Sequence, residues 1–503
     1  MKKTYKECLR RFKDITAISA AAGLASWDQE TTMPSKAVGA RAEQIAALAH
    51  VIHEKLVDPK LGRMLRALKR NKASLSADKR VCVREWLRDY EKATKLPADL
   101  VRELARVTAL AQHAWIKARE QSNFKIFAPW LKKVVALKRK EAKALGYKHV
   151  PYDALLDNYE PDMTVAELDP IIKGLSQGLV PIVAAIKNSK KTPNTNFLTR
   201  RRYEEEGQEL ICCEVSKAIG VDANASRLDR SVHPFCCGLA PTDVRITTRY
   251  DERWLPQALY GVMHESGHAL YEQGLDEMKY GTPLCESVSL GIHESQSRMW
   301  ENFIGRGKPF VSYIFPRLKK LFPDQLCGVT RDDFYRAINR VSATPIRVEA
   351  DEVTYNMHIV LRYELEKSLI NGDIQVKDLP SLWNKNMKRL LGIVPKNDAE
   401  GVLQDTHWAQ GMIGYFPTYS LGNLYAAQLW HTLRKNLKGV DAKIAKGDFS
   451  SILSWLHKNV HRHGRRYHPS QLIKRATGKA LDPEYFLNYL REKYGEIYGI
   501  KRW

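Results

Sequence analysis

The sequence predicts a mainly α-helical protein with a minor β element, because helical periodicity recurs along the chain and strand-like alternation is scarce. Apolar residues recur at helical spacing, with good helix formers between them, in residues 41–54, 101–118, 129–145, 350–369 and 426–437. The best strand candidate is residues 243–250, which contain a β-branched run of Val, Ile and Thr.

The chain of 503 residues is expected to form one large domain. Length alone would allow about three domains of ordinary size. The clearest loops, residues 190–196 and 305–309, are too short to link domains, and no internal repeat is found. We therefore predict a single domain over residues 1–503.

The composition is strongly basic, with a formal net charge of +23 at pH 7. Such a balance can indicate a nucleic acid or an anionic membrane as partner. The basic residues are spread along the whole chain, however, and no zinc-finger or RNA-recognition motif is present. A solvated basic surface without a dedicated nucleic-acid partner is therefore expected.

Cysteine usage and hydropathy favour a cytoplasmic protein. Eight cysteines, two pairs of them adjacent in sequence, suit free thiols in a reducing compartment. The apolar stretch over residues 15–25 is too weakly hydrophobic for a signal peptide and is interpreted as a buried helix. No run of 18 apolar residues occurs, so no membrane span is expected.

The strongest functional signal is His-Glu-Ser-Gly-His at residues 264–268, which fits H-E-x-x-H. It lies in a helix predicted from near Pro256 to Gln273. Residues four apart share one face of a helix, so His264 and His268 can reach one cation. Glu265 is then placed to take the proton of an attacking water. Because so short a motif also arises by chance, a third ligand is needed to support it.

Glu294, which lies 26 residues after His268, is the favoured third ligand. A turn rich in Gly and Pro separates the two, so a hairpin of two helices can return this carboxylate to the metal. Two histidines and one carboxylate leave a position for water, as in a catalytic zinc site. Four competing donors remain open at this stage: Glu272, Glu286, His293 and Glu301.

A second histidine pair, His457 and His461, is also spaced four apart. No glutamate follows the first histidine, and arginines at 462, 465 and 466 crowd the segment. Cations beside a dication are unfavourable. We therefore predict a solvated basic face there instead of a second metal site.

Ordered motifs along almost the whole chain resemble one known family. They are Trp-Asp-Gln at 27–29, His-Pro-Phe at 233–235, Asp-Val-Arg-Ile-Thr at 243–247, His-Glu-Ser-Gly-His at 264–268, His-Glu-Ser-Gln at 293–296, Ile-Arg-Val-Glu-Ala-Asp at 346–351, and the segments 401–408 and 414–419. In these motifs the sequence resembles the carboxypeptidase Taq family of metallocarboxypeptidases.

The resemblance implies an all-helical, saddle-like fold with a deep groove, commonly found as a homodimer. It implies removal of C-terminal residues with broad specificity and poor cleavage where proline is terminal. It also implies His264, His268 and Glu294 as ligands of one metal ion per chain. The expected ion is zinc, with cobalt or another divalent cation as an alternative.

The resemblance further assigns substrate-binding residues. A carboxypeptidase must recognise a free carboxylate, and arginine is suited to bind one through two hydrogen bonds. The family pattern points to Arg347 for this role, with Gln404 assisting. The alternative is that Arg347 pairs structurally with Glu349 or Asp351.

His407 and Tyr419 are candidates for stabilising the oxyanion, since both side chains can donate hydrogen bonds. Tyr415 is the substitute for Tyr419 and a further substrate-binding candidate. The alternative is that the tyrosines pack in the core with their hydroxyls satisfied. Asp243 and Arg245 are expected to form a structural ion pair on a strand.

Three functions are compatible with these residues: a metallocarboxypeptidase, a helical endopeptidase or dipeptidase of related chemistry, and a non-catalytic protein that keeps a structural metal. The presence of Glu265 disfavours the third, because a structural site does not need that carboxylate. Amidation of a peptide's C-terminus separates the first two.

Overall fold

The computed structural model describes all 503 residues and is built from 21 α-helices and one small sheet. The predicted fold class, mainly α with a minor β element, is confirmed. The helix with the H-E-x-x-H motif runs from Leu255 to Gln273, as the sequence predicted, with Pro256 in its first turn.

The N-terminal half contains ten helices: α1 (Lys2–Thr31), α2 (Val38–Val57), α3 (Pro59–Arg70), α4 (Ala77–Lys95), α5 (Ala98–Glu120), α6 (Phe124–Leu145), α7 (Pro151–Leu156), α8 (Val165–Lys187), α9 (Asn196–Thr199) and α10 (Glu205–Ala218). The sheet follows: β1 (Ser226–Arg230), β2 (Cys236–Ala240) and β3 (Asp243–Thr248). The remaining helices are α11 (Leu255–Gln273), α12 (Leu290–Arg298), α13 (Lys308–Leu321), α14 (Arg331–Ile338), α15 (Tyr355–Asn371), α16 (Leu379–Leu391), α17 (Pro417–Asn436), α18 (Val440–Ala445), α19 (Ser450–Asn459), α20 (Pro469–Thr477) and α21 (Glu484–Tyr498).

The sheet lies against the motif helix α11. Its strand order is β1–β3–β2, with β1 parallel and β2 antiparallel to β3. Val244 and Ile246 of β3 pack on Ala269 of α11, so the sheet supports the motif helix. The sequence predicted only β3. Strands β1 and β2 escaped prediction because they are partly exposed edge strands without apolar alternation.

Apart from the small cluster between β3 and α11, the hydrophobic interior divides into two cores. The larger one is built by the helices from α5 to α21. In the smaller one, helices α1, α3 and α4 surround Trp86, which stacks on Phe12 with ring centroids 4.7 Å apart. Leu284, from the segment that precedes α12, completes this smaller core. The N-terminal helices are thereby attached to the segment that leads into α12, which contains the His-Glu-Ser-Gln motif at 293–296.

Helix α1 corrects one expectation. Residues 15–25 are helical, as predicted, but none of their side chains is buried. The buried side chains of α1 are Tyr5, Cys8, Phe12 and Trp27. The Ala-rich stretch lies along α2, which itself buries no side chain. Strand β2 also contacts the stretch at Gly23, and the two neighbours together leave it half-exposed.

Helix α8 is long and apolar enough, by length and composition alone, to cross a membrane. It packs against α21. Its buried side chains are spaced three or four apart and join the larger core: Val165, Leu168, Ile172, Leu175, Leu179, Ile182 and Ile186. That spacing is typical of an amphipathic helix in a folded domain.

Candidate metal centre and active site

Three side chains predicted as metal ligands converge on one point. His264 and His268 lie one turn apart on α11, and Glu294 lies on α12. Oε2 of Glu294 is 3.5 Å from Nε2 of each histidine. The ligand atoms of all three residues lie within 4.8 Å of one another. Two imidazole nitrogens and one carboxylate oxygen at this spacing suit a single divalent cation.

Glycines on two helices make this convergence sterically feasible. A Cβ on Gly267, within the motif, would lie 2.6 Å from Cα of Ser297 and 2.7 Å from the carbonyl oxygen of Gln296. Any larger residue would therefore push α11 and α12 apart. Gly422 of α17 packs against the other side of α12, where an added Cβ would collide with the side chain of Glu294. The two glycines together fix the position of this carboxylate relative to the histidines.

Three of the four rival donors form a second ring around the histidines. Oε2 of Glu301 lies 2.9 Å from Nδ1 of His264. Nδ1 of His293 lies 2.5 Å from Nδ1 of His268, and its Nε2 lies 2.7 Å from Oε1 of Glu272. Histidines that bind a metal usually engage such a group through their other ring nitrogen. The Nε2 atoms of both histidines are thereby left facing Glu294.

Burial and neighbouring charges shift the pKa values of the three candidate ligands. Burial would raise the pKa of Glu294, but Arg298 and His264 outweigh it and hold that pKa well below its usual range. Burial, together with His293, lowers the pKa of His268 to about 3. Burial would also lower the pKa of His264, but neighbouring carboxylates raise it to about 10. Coordination of a cation through Nε2 would require the neutral form of this ring.

Glu265 directly follows His264 in the sequence. It is buried, with 6% of its surface exposed. Burial raises its pKa to about 7, and the charge of Glu294 adds to this rise while His264 opposes it. A carboxyl group that titrates near neutral pH can both accept and return a proton. Its surroundings therefore suit a general base.

Arg347 lies in a buried network next to this site. Its Nε and Nη2 atoms donate to Oδ1 of Asp405 at 3.0 and 2.8 Å, and its Nη1 donates to the hydroxyl of Tyr355 at 3.0 Å. The alternative partners predicted from sequence, Glu349 and Asp351, make no ion pair with it. The structural partner of Arg347 is Asp405.

A second arginine shares this partner. Nε of the fully buried Arg362 donates to Oδ2 of Asp405 at 2.7 Å. Oε1 of Gln404 accepts a hydrogen bond from the backbone nitrogen of Arg347 at 2.8 Å, and its amide donates to backbone carbonyls. Gln404 therefore holds the backbone that carries Arg347.

His407, Tyr415 and Tyr419 form a cluster beside Arg347. Nε2 of His407 lies 3.3 Å from the hydroxyl of Tyr419, and the two tyrosine rings are 5.3 Å apart. The guanidinium of Arg347 lies 5.0 Å from the ring centroid of Tyr419. Both tyrosines are half-buried. Burial and then the charge of Glu294 raise the pKa of Tyr415 to about 12, so its hydroxyl stays protonated at neutral pH.

The ion pair predicted on the strand is present. Arg245 donates to the carboxylate of Asp243 at 3.0 and 3.2 Å. Its guanidinium also lies 4.5 Å from the ring centroid of Trp27, a buried residue of α1. These contacts tie the N-terminal helix to the sheet that supports α11.

Sequence reasoning missed two residues that shape the site. Arg298 follows Glu294 by four positions on α12 and donates to it at 2.7 Å. This helical spacing is a signal that could have identified the pair. Arg362 lies 43 residues before Asp405 and has no local signal, because only the tertiary fold brings the two together.

The predicted solvated basic face is only partly present: His457 and Arg462 are exposed, but other residues of the segment are not. His461 is fully buried, with Nε2 2.9 Å from Oε1 of Gln296. Arg465 donates to Asp89 and to Glu286, the fourth rival donor, at 2.8 Å each. Carboxylates on α4 and ahead of α12 neutralise the segment, which explains why the expectation of a solvated face is wrong at these positions.

The two histidines lie on an H-E-x-x-H helix, and the glutamate lies on the next helix. This arrangement in a helical fold is typical of a metallopeptidase. A family model described as Carboxypeptidase Taq (M32) metallopeptidase matches residues 7–494. The chain belongs to this family and is a metallocarboxypeptidase, a peptide hydrolase. Membership implies a divalent cation, and the donor set of His264, His268 and Glu294 fits one.

Relatives of known name cover nearly the whole chain. The protein is 42% identical to Thermostable carboxypeptidase 1 of Thermus thermophilus, over 98% of this chain and 99% of the relative. It is 40% identical to Carboxypeptidase 1 of Bacillus subtilis, over 98% of each chain. The crystal structure of M32 carboxypeptidase from Deinococcus radiodurans R1 superimposes with a TM-score of 0.97 at 38% identity, covering 99% of this chain and 100% of that one. The resemblance seen in the motifs is confirmed.

Proposed function

We propose that this metallocarboxypeptidase releases residues one at a time from peptides with broad specificity, except where proline is terminal. The observation that carries the proposal is the convergence of His264, His268 and Glu294 next to the buried carboxyl of Glu265. A set of two histidines and one glutamate leaves coordination positions open, as catalytic sites require.

His264, His268 and Glu294 hold the cation, with zinc as the expected metal and cobalt or another divalent ion as an alternative. The bound metal supplies a Lewis acid that polarises the scissile carbonyl and lowers the pKa of water. Glu265 takes the proton of the attacking water and passes it to the leaving amine. Its pKa of about 7 supports both steps.

Arg347 receives the terminal carboxylate of the substrate. Two guanidinium groups, those of Arg347 and Arg362, share the single carboxylate of Asp405, so the network carries one unbalanced positive charge. An anion that approaches Arg347 would neutralise it, and a peptide's C-terminus is such an anion. Gln404 contributes by holding the backbone of Arg347.

Tyr415, Tyr419 and His407 stabilise the oxyanion and line the substrate site. Burial raises the pKa values of both tyrosines, so each hydroxyl keeps the proton that it donates. Burial lowers the pKa of His407 to about 4, which makes its ring neutral. The hydrogen-bonding distance between His407 and Tyr419 supports a joint role in positioning that hydroxyl.

The wider biological setting follows the same proposal. Residues 1–503 act as one catalytic domain in a cytoplasmic homodimer, without a membrane or a dedicated nucleic-acid partner. The eight free cysteines support a reducing compartment. The peptide substrates carry a free C-terminus.

The direct experiment is digestion of one synthetic peptide in two forms, with a free and with an amidated C-terminus, followed by mass spectrometry. Zinc-loaded enzyme is expected to give a ladder of successive C-terminal losses from the free form. The amidated form should stay intact, and a chelator should stop the cleavage of the free form.

An endopeptidase is the second candidate, because H-E-x-x-H chemistry also serves internal cleavage. It would cut the free and the amidated peptide alike, at internal bonds. That pattern, or loss of residues from the N-terminus, would refute the carboxypeptidase direction.

A further inference from the structure

Three side chains form an unbroken hydrogen-bonded row that ends on one metal ligand. Nδ1 of His268 lies 2.5 Å from Nδ1 of His293, and Nε2 of His293 lies 2.7 Å from Oε1 of Glu272. Glu272 follows His268 by one turn of α11, whereas His293 comes from α12. The row therefore bridges the two helices that meet at the metal site.

Each link of the row allows only one proton, so with a neutral His293 ring the position of one proton fixes the next. A carboxylate only accepts hydrogen bonds, which requires Nε2 of His293 to carry the hydrogen. In a neutral ring, Nδ1 of His293 is then an acceptor, and Nδ1 of His268 must donate to it. Nε2 of His268 is thereby left with a free lone pair that faces Glu294.

We propose that Glu272, acting through His293, holds the proton of His268 on Nδ1 and so keeps Nε2 available to the metal. Glu272 and His293 are positioning residues, since neither touches the ion or the substrate in this assignment. The inference rests on the proposed metal site. In this assignment Glu272 and His293 orient His268 through its Nδ1 atom. Glu301 does the same for His264 by direct contact with its Nδ1.

A glycine in the sheet makes room for this carboxylate. A Cβ on Gly238 of β2 would lie 2.8 Å from Cγ, Cδ and Oε2 of Glu272. Such a contact is closer than real Cβ atoms allow, and the flexible carboxylate would move before the backbone does. The edge strand β2, which no sequence signal predicted, thus determines where Glu272 can lie.

The test measures metal affinity instead of turnover. Glu272→Gln keeps the shape but removes the charge, and its amide can satisfy either proton arrangement of His293. Gly238→Ala displaces the same carboxylate from another element. Controls are Glu277→Gln, an exposed glutamate five positions away, and Gly39→Ala, whose added Cβ meets nothing within 4 Å.

Affinity for Co²⁺ and Zn²⁺ is measured by chelator competition on metal-free protein, together with the visible spectrum of the Co²⁺ form. Both variants are expected to bind about 10- to 100-fold more weakly, while both controls match the wild type. Histidine ¹⁵N NMR should show Nε2–H on His293 in the wild type and a mixture of tautomers in Glu272→Gln. A purely structural role for Glu272 would not change that tautomer.

Two results would overturn the inference: wild-type affinity in both Glu272→Gln and Gly238→Ala, or an Nδ1–H tautomer of His293 in the wild type. Melting temperature identifies any variant that has lost its fold, and the other variant then decides. Failure of the wild type itself to bind a divalent cation would instead refute the proposed metal site, so the two failures are distinguishable.

Discussion

The carboxyl of Glu265 is buried beside the proposed ligands, and burial raises its pKa to about 7. Glu265→Gln keeps the volume and hydrogen-bonding capacity but cannot take a proton. We expect kcat to fall by about 10²- to 10⁴-fold, with metal affinity close to that of the wild type. Steady-state kinetics and chelator competition measure the two quantities, and undiminished turnover would contradict the assignment.

Part of the site follows from the sequence alone, and part depends on the tertiary fold. The spacing of His264 and His268 predicts a shared cation from helical geometry alone. The third ligand could not be chosen among five donors by spacing, because chain separation does not tell which carboxylate returns to α11. In the structure Oε2 of Glu294 lies 3.5 Å from Nε2 of both histidines, and Gly267 and Gly422 leave room for α12 at this position. For Arg347 the sequence suggested the wrong structural partners, since Asp405 approaches only through the tertiary fold.

Among the helices, the contact between α11 and α12 controls the site, and Gly267 tests it. Gly267→Ala would force a Cβ to within 2.6 Å of α12 backbone. We expect a loss of about 1–3 kcal/mol in the free energy of unfolding, accompanied by weaker metal binding. Urea unfolding and metal competition measure both.

The matched control is Gly261→Ala on the same helix, where the added Cβ meets only Oγ1 of Thr248 at 3.8 Å. Alanine is the better helix former, so this variant should be about 0.5–1 kcal/mol more stable than the wild type. Equal effects of the two substitutions would show that helix propensity, and not helix contact, governs this element.

A buried carboxyl group that contacts the start of α12 makes the stability of the fold depend on pH. Fully buried Glu160 accepts hydrogen bonds from the hydroxyl of Tyr425 at 2.8 Å and from the backbone nitrogen of Gly291 at 3.2 Å. Burial raises its pKa from 4.5 to about 7. The folded state thus binds this proton more tightly than the unfolded chain. The resulting stability is complete below about pH 4.5 and is lost as the pH rises through 7.

Glu160→Gln cannot ionise, so its stability relative to the wild type should increase between pH 5 and pH 8.5. The expected gain is on the order of 3 kcal/mol, from 1.36 kcal/mol per pKa unit. Urea unfolding at the two pH values measures it. A difference that does not depend on pH would refute the buried, protonated state of Glu160.

At the scale of the whole molecule, metal binding should stabilise the fold, because the three ligands converge only in the folded chain. With free zinc at about a thousand times its Kd, the gain is about 4 kcal/mol. Differential scanning calorimetry should show a lower melting temperature after chelation and recovery after zinc is returned. The shift should vanish in His264→Ala. A shift of equal size in that variant would place the stabilising metal elsewhere.

The fold class could be predicted from the sequence, but the packing of the helices and strands could not. Helical periodicity gave the fold class, since an apolar stripe is visible in a single sequence. Two features could not be predicted: which side chains of α1 are buried, and the existence of the two outer strands. Half-exposed alanines in α1 and polar edge strands such as Ser226–Arg230 leave no periodic signal. The solvated face predicted around His461 was partly wrong for a different reason. The carboxylates that neutralise Arg465 lie far away in sequence.

One cation is predicted to lie between two imidazoles of α11 and a carboxylate of α12. Diffraction data collected on both sides of the zinc absorption edge, from crystals of zinc-loaded protein, test it directly. We predict a single anomalous peak per chain within about 2.0–2.2 Å of Nε2 of His264, Nε2 of His268 and a carboxylate oxygen of Glu294. A peak at His457 and His461, or one coordinated by Glu301 in place of Glu294, would contradict this metal site.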